Sequence, residues 1–360
     1  MSSPLTRLLT DVFAPEPGEV VVVACDLPRY AEEDTPAWAD RRLWAEEWRQ
    51  AFVALGQARG FTTHPLLTYP ATGANGAPLP ARGSLGGREV ELEEVLLGST
   101  LAVFLTQYSA TAPLDAFTRR KADFRAASMP GAERRMMGTA LAADYREVAR
   151  RCGVLLQALR GAEALQVTFS TGHRCYFDLR FRQPEVDDGV LPRGKQGDRI
   201  INLPSGETFI VPYEGERPHT PSLTAGQIPW QEGRELVVFV VEGNRIIRVE
   251  GNGRQAERFR EAFAADPART NVAEVAFGCN PRAVVTGNVL EDEKAGFHWA
   301  YGRSDHLGGT VGVAAFTSPH TVVHQDLVYA PGNPITVAEA QILRGGEPLT
   351  VMRGGEYTLF

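Results

Sequence analysis

Residues Glu19–Gly60, EVVVVACDLPRYAEEDTPAWADRRLWAEEWRQAFVALGQARG, read as strand, loop and helix. The β-branched run from Glu19 to Ala24 is short and apolar, and a polar loop containing Asp26 and Pro28 ends it. Pro36 then opens an amphipathic segment to Arg59, with Trp44, Trp48, Phe52 and Leu55 at helical spacing and Gly60 where a C-cap belongs. Large side chains repeating at that spacing face a core, so the tryptophans are read as packing and not as a ligand platform. Working outward, Phe61 to Thr68, Thr100 to Thr106 and Ala122 to Met129 read as further strands, and Val90 to Leu97 and Glu133 to Leu159 as helices. The Gly/Pro-rich stretch Pro70 to Gly87 reads as a surface excursion or lid, since no helix-opening Lys-Ser/Thr closes it into a phosphate cradle. Strands alternating with helices predict an N-terminal α/β domain with a mostly parallel sheet over residues 1–160.

The character changes near Gly161. Ala164 to Ser170, Cys175 to Phe181, Leu236 to Val241 and Ile246 to Val249 read as strands, the last two joined by a tight turn at Gly243-Asn244. ILRGGEPLTV and VMRGGEYTLF each place Gly-Gly between short apolar runs, which predicts closing hairpins. One helix, Gln255 to Ala264, interrupts them before Asp266-Pro267. Residues 161–360 are therefore expected to form a mostly antiparallel β (α+β) domain.

Composition narrows the function classes. With 360 residues the chain is long for one core and comfortable for two. Its net charge of -7 offers no electrostatic footprint for nucleic acid. No apolar run reaches the length of a membrane span, and the N-terminal MSSPLTRLLTDVF lacks a secretory h-region, so a cytoplasmic location is expected. Cys25, Cys152, Cys175 and Cys279 are scattered without a CxxC pair, which fits reduced buried thiols better than a disulfide frame or zinc knuckle.

Chemistry concentrates between Ala273 and Ala330. In VVHQDLVY, His324 and Asp326 are two apart on a strand and point to one face, where they can reach a single ion. Burying an unpaired imidazole and carboxylate among Val322, Val323, Leu327 and Val328 would be costly, which calls for a partner or a metal. A strand whose polar face looks into solvent is the alternative. His298 lies in another β-rich run, and Glu207 and Glu274 sit in turn or apolar contexts, INLPSGETF and AEVAFGCNP. Two histidines and three carboxylates exceed the ligands of one tetrahedral zinc and make the inventory of a two-ion site with a shared water.

Five motifs in order, LPSGETF, AEVAFGCNP, GNVLEDEKAGFHWAYG, GG and HQD, resemble those of the thermophilic metallo-aminopeptidases of the aminopeptidase T and S type. The resemblance covers roughly Ala164 to Tyr329. It implies that Glu207, Glu274, His298, His324 and Asp326 bind two divalent metal ions (Zn, Co, Mn or Mg), and that a small peptide substrate loses its N-terminal residue in an internal cavity of a homodimer. One departure stands out. The family's tyrosine, seven positions past the first ligand histidine, is replaced by Asp305, next to His306. A His306 imidazole held charged by Asp305, or Tyr301 swinging in, would then support the oxyanion. Glu291-Asp292-Glu293 reads as a solvated turn with Lys294 pairing one member. Ring-cleaving dihydroxypyridine dioxygenases on a related scaffold resemble the chain in the H-x-D pair but carry a histidine where this chain has Glu274, giving a mononuclear Fe(II) site. A non-catalytic metal- or peptide-binding member is the third reading.

Overall fold

The structure, a computed structural model, describes residues 3–318 and 320–360. Its fold class is α/β: a mostly parallel sheet with helices in one compact unit, and antiparallel sheets in a second. The first unit comprises Met1–Ala149, Asp187–Ser205 and Pro281–Ala283, and the second Arg150–Val186, Gly206–Asn280 and Val284–Phe360. The sequence places one boundary at 160/161, whereas here the chain returns to the first unit because Ile200–Asn202 pairs in parallel with Arg125–Pro130.

In the first unit the parallel strands lie in the spatial order Ile200–Asn202, Arg125–Pro130, Leu101–Thr106, Val20–Leu27 and Leu67–Pro70, and Thr62–Thr63 also pairs with Val20–Leu27. The hairpin Arg82–Leu85/Arg88–Glu91 extends the sheet antiparallel. It occupies part of the stretch expected to be a loop and the start of an expected helix, which begins only at Leu92. Helix Pro36–Arg59 starts on its proline and ends at Gly60, whose φ of 80° is open to glycine without strain. Trp44, Trp48 and Phe52 are buried on it, as their spacing predicts. The long helix expected from Glu133 is broken instead. Short 3-10 turns at Arg134–Gly138 and Ala140–Ala142 precede Tyr145–Leu159, whose start is marked by the Asp144 carboxylate accepting the Arg146 N–H at 3.0 Å.

The second unit holds two sheets. The larger runs in the order Arg245–Glu250, Glu235–Glu242, Ala225–Glu232, Arg174–Asp178, Ala164–Phe169, Val337–Arg344, Glu347–Arg353 and Glu356–Tyr357, with antiparallel neighbours throughout. Its turns fall at Gly243-Asn244, Gly345-Gly346 and Gly354-Gly355, where the sequence marks them. The smaller sheet runs from the edge strand Glu185–Asp187 through Glu207–Ile210, Val272–Gly278 and Phe297–Gly302 to His324–Tyr329. Aromatic side chains join the two sheets: Phe169 packs on Phe297 and Tyr329, Phe239 on Trp299, and Trp230 on Tyr329. Trp299 Nε1 donates to Tyr329 Oη at 3.1 Å, and that hydroxyl donates to the Pro229 carbonyl at 2.8 Å, so these two buried groups are satisfied. Among the described residues no helix is long and apolar enough to cross a membrane.

Candidate metal centre

Strand parity divides the smaller sheet into an aromatic face and a polar one. Phe277, Phe297, Trp299, Tyr301 and Tyr329 take the first. On the other, Glu274, Ala300 and Asp326 form one cross-strand row, with His324 opposite Gly302, His298 opposite Ala276, and Glu207 opposite Gly278. All five residues expected as ligands share this face, and apart from Val328, the second neighbour of His298, the cross-strand partners given above are alanine or glycine. Small neighbours leave space above the sheet that larger side chains would fill.

The polar atoms converge around Glu274. His324 Nε2 lies 2.9 Å from Glu274 Oε2 and 3.6 Å from Asp326 Oδ1. His298 Nε2 lies 3.3 Å from Glu207 Oε2 and 4.0 Å from Glu274 Oε1. Ligand atoms of Glu274, His324 and Asp326 come within 4.8 Å of one another, close enough to hold one ion. Both imidazoles are aimed by their other nitrogen: His324 Nδ1 donates to the Arg303 carbonyl at 2.7 Å, and His298 Nδ1 faces the Gly296 carbonyl at 3.3 Å.

Electrostatics follow from this crowding of carboxylates. Burial works against the charged form of His298, but the carboxylates of Glu207, Glu274 and Asp326 outweigh it and raise the imidazole to about 9. His324 is likewise raised well above its usual value, against burial, by Asp326 and Glu274. Burial raises Asp326 and Glu207, yet His324 on one side, and Lys294 with His298 on the other, bring each down to about 2. Glu274 is raised, burial being the largest cause. The donor set thus draws positive charge to two points, one at each histidine. Carboxylate and imidazole donors suit hard or borderline divalent ions, and Glu274, His324 and Asp326 form a group that fits such an ion.

A lysine also belongs to the centre. Lys294 is fully buried, and its Nζ donates to Glu207 Oε1 at 2.5 Å and to Glu293 Oε1 at 2.7 Å. Gly278 makes room for it, because a Cβ there would meet the Glu293 carbonyl oxygen at 2.0 Å. The expected solvated turn is therefore corrected. Glu291 and Asp292 are buried, Asp292 accepts the N–H groups of Thr286 and Gly287, and burial together with the Glu207 and Asp326 charges raises Glu293 to about 8 despite Lys294. Polar letters alone suggested solvent; Asp292 is satisfied by the nearby Thr286–Gly287 backbone, and Lys294 by Glu293 beside it and Glu207, 87 residues away.

Tyr301 and His306 also differ from expectation. Tyr301 faces the aromatic layer, 5.3 Å from the Phe263 ring, on the side of the sheet opposite His298. The 3-10 turn Asp305–Leu307 brings His306 edge-on to His324, ring centroids 5.0 Å apart. Asp305 Oδ1 is 2.5 Å from Arg303 Nε and 3.8 Å from His306 Nδ1, so the carboxylate serves the arginine. Desolvation, then His324 and Arg303, push the His306 imidazole below its ordinary value, and it is neutral where a charged ring was expected. Glu214, which the sequence reading passed over, anchors this loop by accepting from Ser304 Oγ at 2.5 Å, from Thr310 N and Oγ1 at 2.6 Å each, and from Asn271 Nδ2 at 2.8 Å.

No protein-family model and no curated protein matches the chain. Among solved structures it is similar to 2,5-dihydroxypyridine dioxygenase from Pseudomonas putida KT2440, with a TM-score of 0.64 and 16% identity over 99% of this chain and 98% of that one. It is also similar to wild-type AmpT from Thermus thermophilus, with a TM-score of 0.57 and 16% identity over 99% of each chain. At this identity the likeness is one of fold.

Proposed function

We propose that the chain is a metal-dependent aminopeptidase, or a related amide hydrolase, that binds two divalent ions and removes N-terminal residues from small peptides. The observation that carries this reading is the division of the Glu274 carboxylate: Oε2 faces His324 and Oε1 faces His298, with Asp326 and Glu207 completing the two halves. A carboxylate shared between two His-carboxylate pairs is the donor pattern of a two-ion hydrolytic centre. Bound there, divalent ions supply Lewis acidity to a substrate carbonyl and lower the pKa of water.

The chain's own residues orient and polarise. Glu274 ties the halves together, and the burial of Glu207, Glu274 and His298, with His324 and Asp326 partly exposed, limits the access of bulk water to the centre. Neutral His306, beside His324, keeps an N–H to donate toward a developing oxyanion, the part played by the tyrosine in the family that the sequence resembles. Metal analysis of reconstituted protein with turnover of a panel of aminoacyl amides tests the proposal: two ions per chain and amide hydrolysis are expected, whereas one bound iron with no hydrolysis would overturn it.

A second reading, ring cleavage by a single iron, is favoured by the compact Glu274–His324–Asp326 group and by the fold shared with the dioxygenase. Two carboxylates and one histidine are a harder, more anionic donor set than the two-His-one-carboxylate triad of non-haem iron oxygenases, which weighs toward hydrolysis.

A further inference from the structure

We propose that Lys294 makes the two halves of the centre unequal: a divalent cation binds first at Glu274, His324 and Asp326, and the Glu207–His298 half binds its cation more weakly. The inference rests on the two-ion reading above and concerns how the centre fills. Each half offers one imidazole, one carboxylate of its own and one oxygen of Glu274. They differ in what else holds that carboxylate. Asp326 pairs with His324. Glu207 already carries a cation, the Lys294 ammonium 2.5 Å from Oε1, leaving Oε2 toward His298.

This ammonium is held in place. Lys294 is fully buried, so no solvent screens its charge, and Glu293 Oε1 at 2.7 Å fixes it from a second side. Its backbone is pressed against Gly278, where a Cβ would meet Lys294 Cα at 2.8 Å, and its carbonyl accepts the Asn280 N–H at 3.0 Å. Retreat to solvent would mean unpacking the Glu293–Ala295 turn. A divalent ion bound through Glu207 Oε2 therefore sits close to a fixed like charge and gains one oxygen of that carboxylate where two would otherwise be offered. The charge of Lys294 also reaches Asp326, but it stands first among the favourable influences on Glu207 and last among those on Asp326, and the hydrogen bond occupies an oxygen of Glu207 only, so this half is the more weakened.

Calorimetric titration of the metal-free full chain with Mn²⁺ or Zn²⁺ reads the inequality without any substrate. Two binding events are expected, the second weaker by at least about tenfold. Lys294→Met should bring the two affinities together, and Lys294→Arg, which keeps the charge, should keep them apart; circular dichroism identifies the variants that fold. Two equal affinities in the wild type overturn the inference and leave the two-ion reading standing, as does an unchanged separation in folded Lys294→Met. If Lys294→Met does not fold, the wild-type titration decides alone. A single ion in both wild type and Lys294→Met overturns the two-ion reading itself, while one ion in the wild type and two in Lys294→Met supports the inference in its strongest form.

Discussion

Glu274 touches both histidines, so its removal acts on both halves at once. Glu274→Ala is expected to lose bound metal and amide turnover together; full activity with unchanged metal content would exclude its bridging place. His306 allows a cleaner separation because it meets His324 edge-on and lies outside the five donors. His306→Gln should retain metal and KM while kcat falls on the order of a hundredfold, the usual scale for one lost oxyanion donor. An unaltered kcat would move that role elsewhere, though not to Tyr301, which faces the aromatic layer. Residue type and strand parity were enough to single out His324 and Asp326 from the sequence. Lys294 was legible only in part: the expected pairing with one of the three acidic residues is there with Glu293, but Glu207, its other partner, lies 87 residues before it.

At the scale of elements, the centre depends on how closely the Glu293–Ala295 turn approaches the Val272–Gly278 strand. Gly278→Ala would place a methyl 2.0 Å from the Glu293 carbonyl oxygen, and the turn must move. Thermal or urea unfolding should show a loss of about 1–3 kcal/mol, the range for overpacking, with weaker metal retention alongside. Wild-type stability would mean that the turn relaxes freely. The alternating strands and helices of the first unit and the Gly-Gly hairpins of the second were readable because local chemistry specifies them. The break between Glu133 and Tyr145 was not, since apolar periodicity continues through it while the 3-10 turns at Arg134–Gly138 and Ala140–Ala142 interrupt the helical backbone. The face each site strand turns toward the larger sheet was hidden for a similar reason: pairing register is a long-range property, and parity alone leaves both faces available.

For the whole molecule, the most testable titration lies away from the metal centre. Asp26 is buried in the first unit, accepts the Gln107 N–H at 2.8 and 3.0 Å, and is raised to about 6, burial being the largest cause. A carboxyl with a folded pKa above its unfolded value binds its proton more tightly when folded. Its contribution is therefore complete below about pH 4 and is lost as pH rises through 6, by roughly 3 kcal/mol for a shift of this size. Unfolding free energies measured from pH 4 to 7 should carry this downward component, and Asp26→Asn should remove it; identical profiles would show that Asp26 titrates normally. Glu19 and Arg125 form a buried pair, Nη2 to Oε2 3.0 Å, with Arg125 also bound to the Phe13 and Leu191 carbonyls. Arg125→Met should cost about 3–5 kcal/mol by leaving the Glu19 charge uncompensated, and a cost below 1 kcal/mol would show that the pair is dispensable.

The way the chain returns to the first unit also bears on heredity. Neither unit is one continuous stretch, for the strand Ile200–Asn202 that completes the first sheet is encoded inside the second unit's portion of the gene. A single recombination event between residues 149 and 187 would join one parent's Arg125–Pro130 to the other parent's Ile200–Asn202, and the two would have to pair as parallel neighbours. Exchange of a whole unit requires several simultaneous crossovers. Selection for that pairing would favour recombinants whose two strands match, which ties the unit carrying the candidate centre to a sheet that supplies none of its five residues.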